Sequence, residues 1–336
     1  MYLYGSNQCN DNRPLRRPRR PVSDPASSAV ASTQDLAAGH LQIAGLDMSN
    51  RRTADQTFAT IGQCSTVIRV TTDGTQPGPV DHVGGPVAWR EAGSGPPVVF
   101  LHGLGGTRGA WGPQLRVLSR TRRCIAWDMP GYGDSEPLLP LTYAAIADAL
   151  VSFLDDLCIK QVDLCGLSFG GMHALHTAIR HPDRVRCMVL ADTSPAFGMD
   201  GTIAQEWISS RLAPLDAGGS VADAAEHVID AITARPLTGP VRDEMLNAFR
   251  QISNEGFRSS VHCLPSNDVR AQLPQLHHRC CVIVGELDRE TPVSYAKALA
   301  DGLPNAEFHV LDGIGHLSPA EAPDQFNELV AAFLAS

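Results

Sequence analysis

Apolar residues along this chain fall in two alternating rhythms. Short apolar runs at residues 98–101 and 124–127 have the pattern of buried strands, and the apolar-rich run from 161 into Gly166, 185–191 and 281–284 read as strands beside them. Residues 65–71, 87–91 and 307–311 read as further strands. Between the runs, apolar positions recur at helical spacing: Trp111, Leu115 and Leu118 stand at i, i+4 and i+7. Residues 144–157, 172–180, 294–301 and 323–334 also read as helices. Strands alternating with helices predict an α/β fold, with a mostly parallel sheet covered on both faces. From 197 to 274 the strand signal stops. Residues 205–212, 221–234, 241–252 and 257–263 read as helices there, punctuated by Gly218-Gly219, Pro236 and Pro240. This insert is expected over the carboxyl edge of the sheet, where open α/β sheets place ligands.

Residues 1–64 have a different texture. Arg13, Arg16, Arg17, Arg19 and Arg20 alternate with Pro14, Pro18 and Pro21, a composition that opposes helix and core formation. We expect a disordered extension over 1–64 and a folded domain over 65–336. Arg19-Arg20 resembles an export signal, but Pro21-Val-Ser-Asp-Pro stands where its apolar segment should begin. Met48 is an alternative start. The 336 residues carry a net charge of −9, which argues against a nucleic-acid partner. No window reaches the ~18 continuous apolar residues of a membrane span. Nine cysteines occur without a C-x-x-C pair, and most sit in apolar runs. Buried free thiols in a reducing, cytoplasmic setting are expected. His277-His278 reads as a lone pair without a third ligand, so no metal is expected.

Candidate chemistry centres on Gly166-Leu-Ser-Phe-Gly170. This G-x-S-x-G run lies between a strand-like and a helix-like segment, the context in which a sharp turn exposes a serine hydroxyl. Such a hydroxyl needs a base, and the base needs an orienting carboxylate. His316 follows the last strand, in a loop with Gly313 and Gly315. Asp288 follows the preceding strand; Asp192 and, more weakly, Glu286 compete for the acid role. An oxyanion hole needs two converging backbone N–H groups. Phe169 supplies one and Leu104, between Gly103 and Gly105, the other. His102 reads as a loop stabiliser with a lesser claim to be the base. Asp128 and Asp134 read as turn residues, and His173 and His176 as packing or surface residues.

Four motifs together resemble the α/β-hydrolase family across about residues 75–336. They are His102-Gly-Leu-Gly-Gly106, Asp128-Met-Pro-Gly-Tyr-Gly-Asp-Ser135, Gly166-Leu-Ser-Phe-Gly-Gly171 and Gly313-Ile-Gly-His316. Within it, the small capped members are most similar: 3-oxoadipate enol-lactonases, carbon–carbon hydrolases of aromatic-ring degradation and cofactor-free haloperoxidase-like esterases. The resemblance implies an eight-stranded sheet, a helical cap after the sixth strand at about 197–274, and no cofactor. Serine at the turn departs from the dehalogenase and epoxide-hydrolase members, which use aspartate. Trp207, Ile208, Leu212, Ile229, Ile232, Met245, Phe249 and Phe257 either line a pocket or pack the cap on itself. Arg211 or Arg258 either clamps a substrate carboxylate, as an enol-lactone would need, or is simply solvated. The expectation is a serine hydrolase of a small carboxylic ester or lactone, working through an acyl-enzyme. The alternatives are carbon–carbon bond hydrolysis and a non-catalytic small-ligand-binding protein on the same fold.

Overall fold

The apolar runs assemble into one sheet of eight strands in the computed structural model, which describes residues 78–336. In chain order the strands are β1 (Val80–His82), β2 (Trp89–Ala92), β3 (Pro97–Leu101), β4 (Arg123–Trp127), β5 (Val162–Leu167), β6 (Val185–Ala191), β7 (Arg279–Gly285) and β8 (Ala306–Leu311). Their spatial order is β1-β2-β4-β3-β5-β6-β7-β8. β1 and β2 are antiparallel to their neighbours, and the other pairs are parallel. The most buried strands are central: all six residues of β5 are buried, as are four of the five in β3. The expected strand at 65–71, the extension over 1–64 and its arginine run lie outside the described residues. β1 itself was not anticipated. Three residues, Val-Asp-His, carry too little pattern to register.

Helices α1 (Gly112–Leu118), α2 (Tyr143–Asp156), α3 (Phe169–Arg180), α8 (Val293–Gly302) and α10 (Pro323–Ala335) connect and flank these strands, with a single turn, α9 (Ser318–Glu321), before the last. Local chemistry sets several starts. The Thr142 side chain accepts the Ala145 N–H to open α2. Between β6 and β7 come four helices, α4 (Ala204–Asp216), α5 (Ala225–Ile232), α6 (Gly239–Arg250) and α7 (Asn254–Cys263). α7 begins three residues before the apolar pattern suggests, because the Ser253 hydroxyl caps it through the Gly256 N–H. α4 runs past Pro214 to Asp216.

Cys124, Cys165, Cys187, Cys263, Cys280 and Cys281 are free and buried. Cys158 departs from that expectation, being disulfide-bonded. Among the described residues no helix is long and apolar enough to cross a membrane.

Candidate active site

β5 ends at Leu167 and α3 begins at Phe169, leaving Ser168 alone to make the turn. It does so at φ 54°, ψ −115°, a left-handed region costly for a residue with a side chain. Two glycines allow this. A Cβ on Gly166 would overlap the Gly170 carbonyl, and one on Gly170 would overlap the Leu101 carbonyl. Strand, turn and helix therefore close to backbone contact. Gly170→Ala is expected to cost at least about 2 kcal/mol of stability, because the carbonyl it meets belongs to a central strand. A urea midpoint measures it.

Three residues far apart in sequence meet at this turn. His316 Nε2 lies 3.0 Å from Ser168 Oγ, and His316 Nδ1 lies 2.8 Å from Asp288 Oδ2. Asp288 sits in the loop after β7. Its Oδ1 accepts the N–H groups of Glu290 and Thr291 at 2.9 and 3.0 Å, and its Oδ2 accepts the Thr291 hydroxyl at 2.8 Å. Burial opposes the charge on Asp288. His316 and Thr291 outweigh it and hold the carboxyl below its usual range. Burial also works against an imidazolium at His316, but the Asp288 carboxylate prevails and raises its pKa to about 9.

The competing acids stand elsewhere. Asp192, fully buried at the end of β6, accepts the N–H groups of Gly285 and Ser318, each at 3.0 Å. Burial and then the charge of Asp288 push its pKa upward. It thus ties the start of the acid loop to the stretch just after His316. Glu286 is exposed and accepts the Gly313 N–H at 2.8 Å. His102 uses both ring nitrogens on its loop: Nδ1 donates to the Gly103 carbonyl at 2.9 Å, and Nε2 accepts the Met129 N–H at 3.1 Å. Burial lowers its pKa, consistent with that neutral tautomer. His176 bonds Asn267, and His173 is buried.

Two supports escaped sequence reasoning. Glu321 accepts the backbone N–H groups on both sides of His316, from Gly315 and Leu317, each at 3.1 Å, and also that of Ala234 at 2.8 Å. The Ile232 carbonyl accepts the His316 N–H at 2.9 Å. The histidine loop is therefore stitched to the end of α5. Arg108 gathers Asp128, Asp134 and Asp81 into one ion-paired cluster. The two aspartates read as turn residues thus also fix the loop after β4. No local pattern announces either arrangement, since each depends on a partner distant in sequence, Ala234 for Glu321 and Arg108 for the aspartates.

A chamber of about 380 Å³ opens in front of Ser168, within the size range of small-molecule sites. Leu104 lines it, and the adjacent Gly103 faces the Ser168 Cβ. Six of the eight apolar residues singled out in the insert also line it: Trp207, Ile229, Ile232, Met245, Phe249 and Phe257. Ile208 and Leu212 do not. On α4 the lining positions are 207, 210, 211, 214 and 215, one helical face, and 208 and 212 fall off it. Arg211 reaches the chamber but pairs with Glu290; Arg258 pairs with Asp216 and does not line it. Cys281, Glu307 and His309 bring ligand atoms within 4.8 Å of one another, yet none lines the chamber. Burial pushes the Cys281 thiol up to about 12, opposing the thiolate a metal needs.

Comparison with known proteins agrees with this architecture. 2-Hydroxymuconate semialdehyde hydrolase of Pseudomonas putida is 33% identical over 258 residues, covering 73% of this chain and 89% of that protein. 3-Oxoadipate enol-lactonase 2 of Acinetobacter baylyi is 27% identical over 247 residues, covering 71% and 88%. The crystal structure of a hydrolase from Pseudomonas aeruginosa PA01 superposes with a TM-score of 0.67 at 26% identity, covering 77% of this chain and 98% of that one. The sequence model described as "Alpha/beta hydrolase family" matches residues 98–329, a span that takes in the serine turn, the acid loop and the histidine loop. Sheet order, serine turn and this match agree: the chain belongs to the alpha/beta hydrolase family.

Proposed function

We propose that the protein is a serine hydrolase that cleaves a small carboxylic ester or lactone through an acyl-enzyme. The observation that carries this reading is the approach of His316 Nε2 to 3.0 Å from Ser168 Oγ, with Asp288 on the opposite ring nitrogen. Ser168 Oγ attacks the substrate carbonyl carbon while its proton passes to His316 Nε2. The Asp288 carboxylate stabilises the imidazolium and stays ionised. The carbonyl oxygen becomes an oxyanion facing the Leu104 and Phe169 N–H groups. The tetrahedral carbon then expels the alkoxide, which takes the proton from His316 and leaves as alcohol. Water attacks the acyl-enzyme, giving its proton to His316. The bond between the acyl carbon and Ser168 Oγ breaks, the serine recovers that proton, and the acid departs. No step calls for a cofactor. Within the described residues, 197–274 are assigned as the cap over the site.

Hydrolysis of a carbon–carbon bond in a vinylogous diketone is the second reading. The 33% identity to 2-hydroxymuconate semialdehyde hydrolase favours it, and the same three side chains serve it. A panel of esters, lactones and ring-fission products separates the two. A fluorophosphonate separates either from a purely ligand-binding protein: it labels the wild type and not Ser168→Ala. Labelling of neither protein would favour binding without catalysis.

A further inference from the structure

Charge enters the chamber chiefly through a few side chains of the insert and the acid loop, and most of it is already matched. Apart from His227 and His316, Arg211 is the only basic residue among those described that lines the chamber. Its Nη2 lies 2.6 Å from Glu290 Oε2, and its guanidinium stands 5.5 Å from the centre of the Trp207 ring. Asp200, also lining, accepts the N–H and hydroxyl of Thr202 at 2.9 and 2.6 Å and bonds Tyr295. His227 is exposed, with Asp230 near it. Arg211 and Glu290 cancel, His316 is matched by Asp288, and Asp200, itself exposed, leaves negative charge in excess. The remaining wall includes Leu104, Ile229, Ile232, Met245 and Phe249, with no charge to offer.

A carboxylate entering such a chamber sheds water without gaining an unpaired guanidinium or ammonium in return. It also meets the field of exposed Asp200, weakened by solvent. An uncharged chain loses nothing on the same path and gains from apolar contact. We infer that the chamber selects an uncharged, largely apolar substrate, and that Glu290 enforces this by occupying Arg211. The inference rests on the serine-hydrolase reading and narrows it to neutral esters or lactones, setting aside those that carry a free carboxylate.

Two ethyl fluorophosphonates of equal tail length test it, one ending in methyl and the other in a carboxylate. Ser168 Oγ forms the bond to phosphorus, fluoride leaves and His316 takes the proton, so the inactivation rate reads access to the same serine. In the wild type the methyl-ended reagent is expected to react at least about 100-fold faster. In Glu290→Gln the gap is expected to narrow by about tenfold, because the Arg211 guanidinium is then free for a charge-assisted contact. Equal wild-type rates, or faster reaction of the carboxylate reagent, overturn the inference. An unchanged gap in Glu290→Gln overturns the part assigned to the Arg211–Glu290 pair. The wild-type comparison stands by itself if that variant does not fold. Inactivation by neither reagent overturns the serine-hydrolase reading, and this inference with it.

Discussion

Ser168→Ala is expected to lower kcat for an ester by about 10⁶-fold while leaving the fold intact. The loss is large because the substitution removes the only atom placed to form the acyl bond, and His316 then has nothing to deprotonate. Residual turnover about 10³–10⁴-fold above water is expected from binding and the backbone N–H groups alone. The fold survives because the Ser168 hydroxyl bonds the His316 ring alone, while the turn is held by its backbone: the Ser168 N–H donates to Ala191 at 2.8 Å and its carbonyl accepts the Thr193 hydroxyl at 2.7 Å. Steady-state hydrolysis beside a urea titration checks both halves. A tenfold loss or less would mean another nucleophile does the work.

Asp288→Asn is expected to lower kcat by about 10⁴-fold and to move the pH profile. The direction follows from the charge. His316 accepts a proton only when neutral, and the Asp288 carboxylate favours the imidazolium strongly enough to raise its pKa to about 9 despite burial. In the wild type kcat/KM therefore climbs from pH 6 through neutrality and levels off above about pH 9. Asparagine removes the anion, and burial, which lowers this pKa, then dominates. The limb shifts to lower pH, although the plateau falls. Asp192→Asn supplies the contrast. It bonds two backbone N–H groups and has no hydrogen bond to His316, though its charge also helps to raise the histidine's pKa, so a smaller loss with a smaller downward shift of the limb is expected. The reverse ranking of the two variants would transfer the acid role to Asp192.

The sheet and the three-residue cluster were legible because each rests on local pattern. Continuous apolar runs such as 98–101 tolerate no exposed face, so they mark central strands whatever surrounds them. The serine turn declares itself through glycines at which any Cβ would press on backbone. His316 and Asp288 follow from position, each in the first loop after a late strand. What stayed hidden depends on contacts between distant segments. For Arg211 sequence leaves a choice between a substrate clamp and a solvated side chain, and neither reading includes Glu290, 79 residues on, which holds it. Glu321 lies five residues after His316, yet its role appears only once the loop folds back on it and on Ala234. The insert was legible as helices but not as faces. Spacing singled out eight apolar residues, and only the direction of α4 separates Trp207, which lines the chamber, from Ile208 and Leu212. Lone short strands fail for the opposite reason: β1 has three residues and an exposed centre, too little to distinguish from a loop.

The acyl-enzyme itself offers the most direct measurement. Protein mixed with an activated neutral ester, quenched in acid within milliseconds and digested, is read by mass spectrometry. The mass of the acyl group is expected on the peptide carrying Ser168 and absent from Ser168→Ala, whose turnover falls by about 10⁶-fold. An acyl group on any other residue, or hydrolysis continuing at the wild-type rate in Ser168→Ala, would contradict this route.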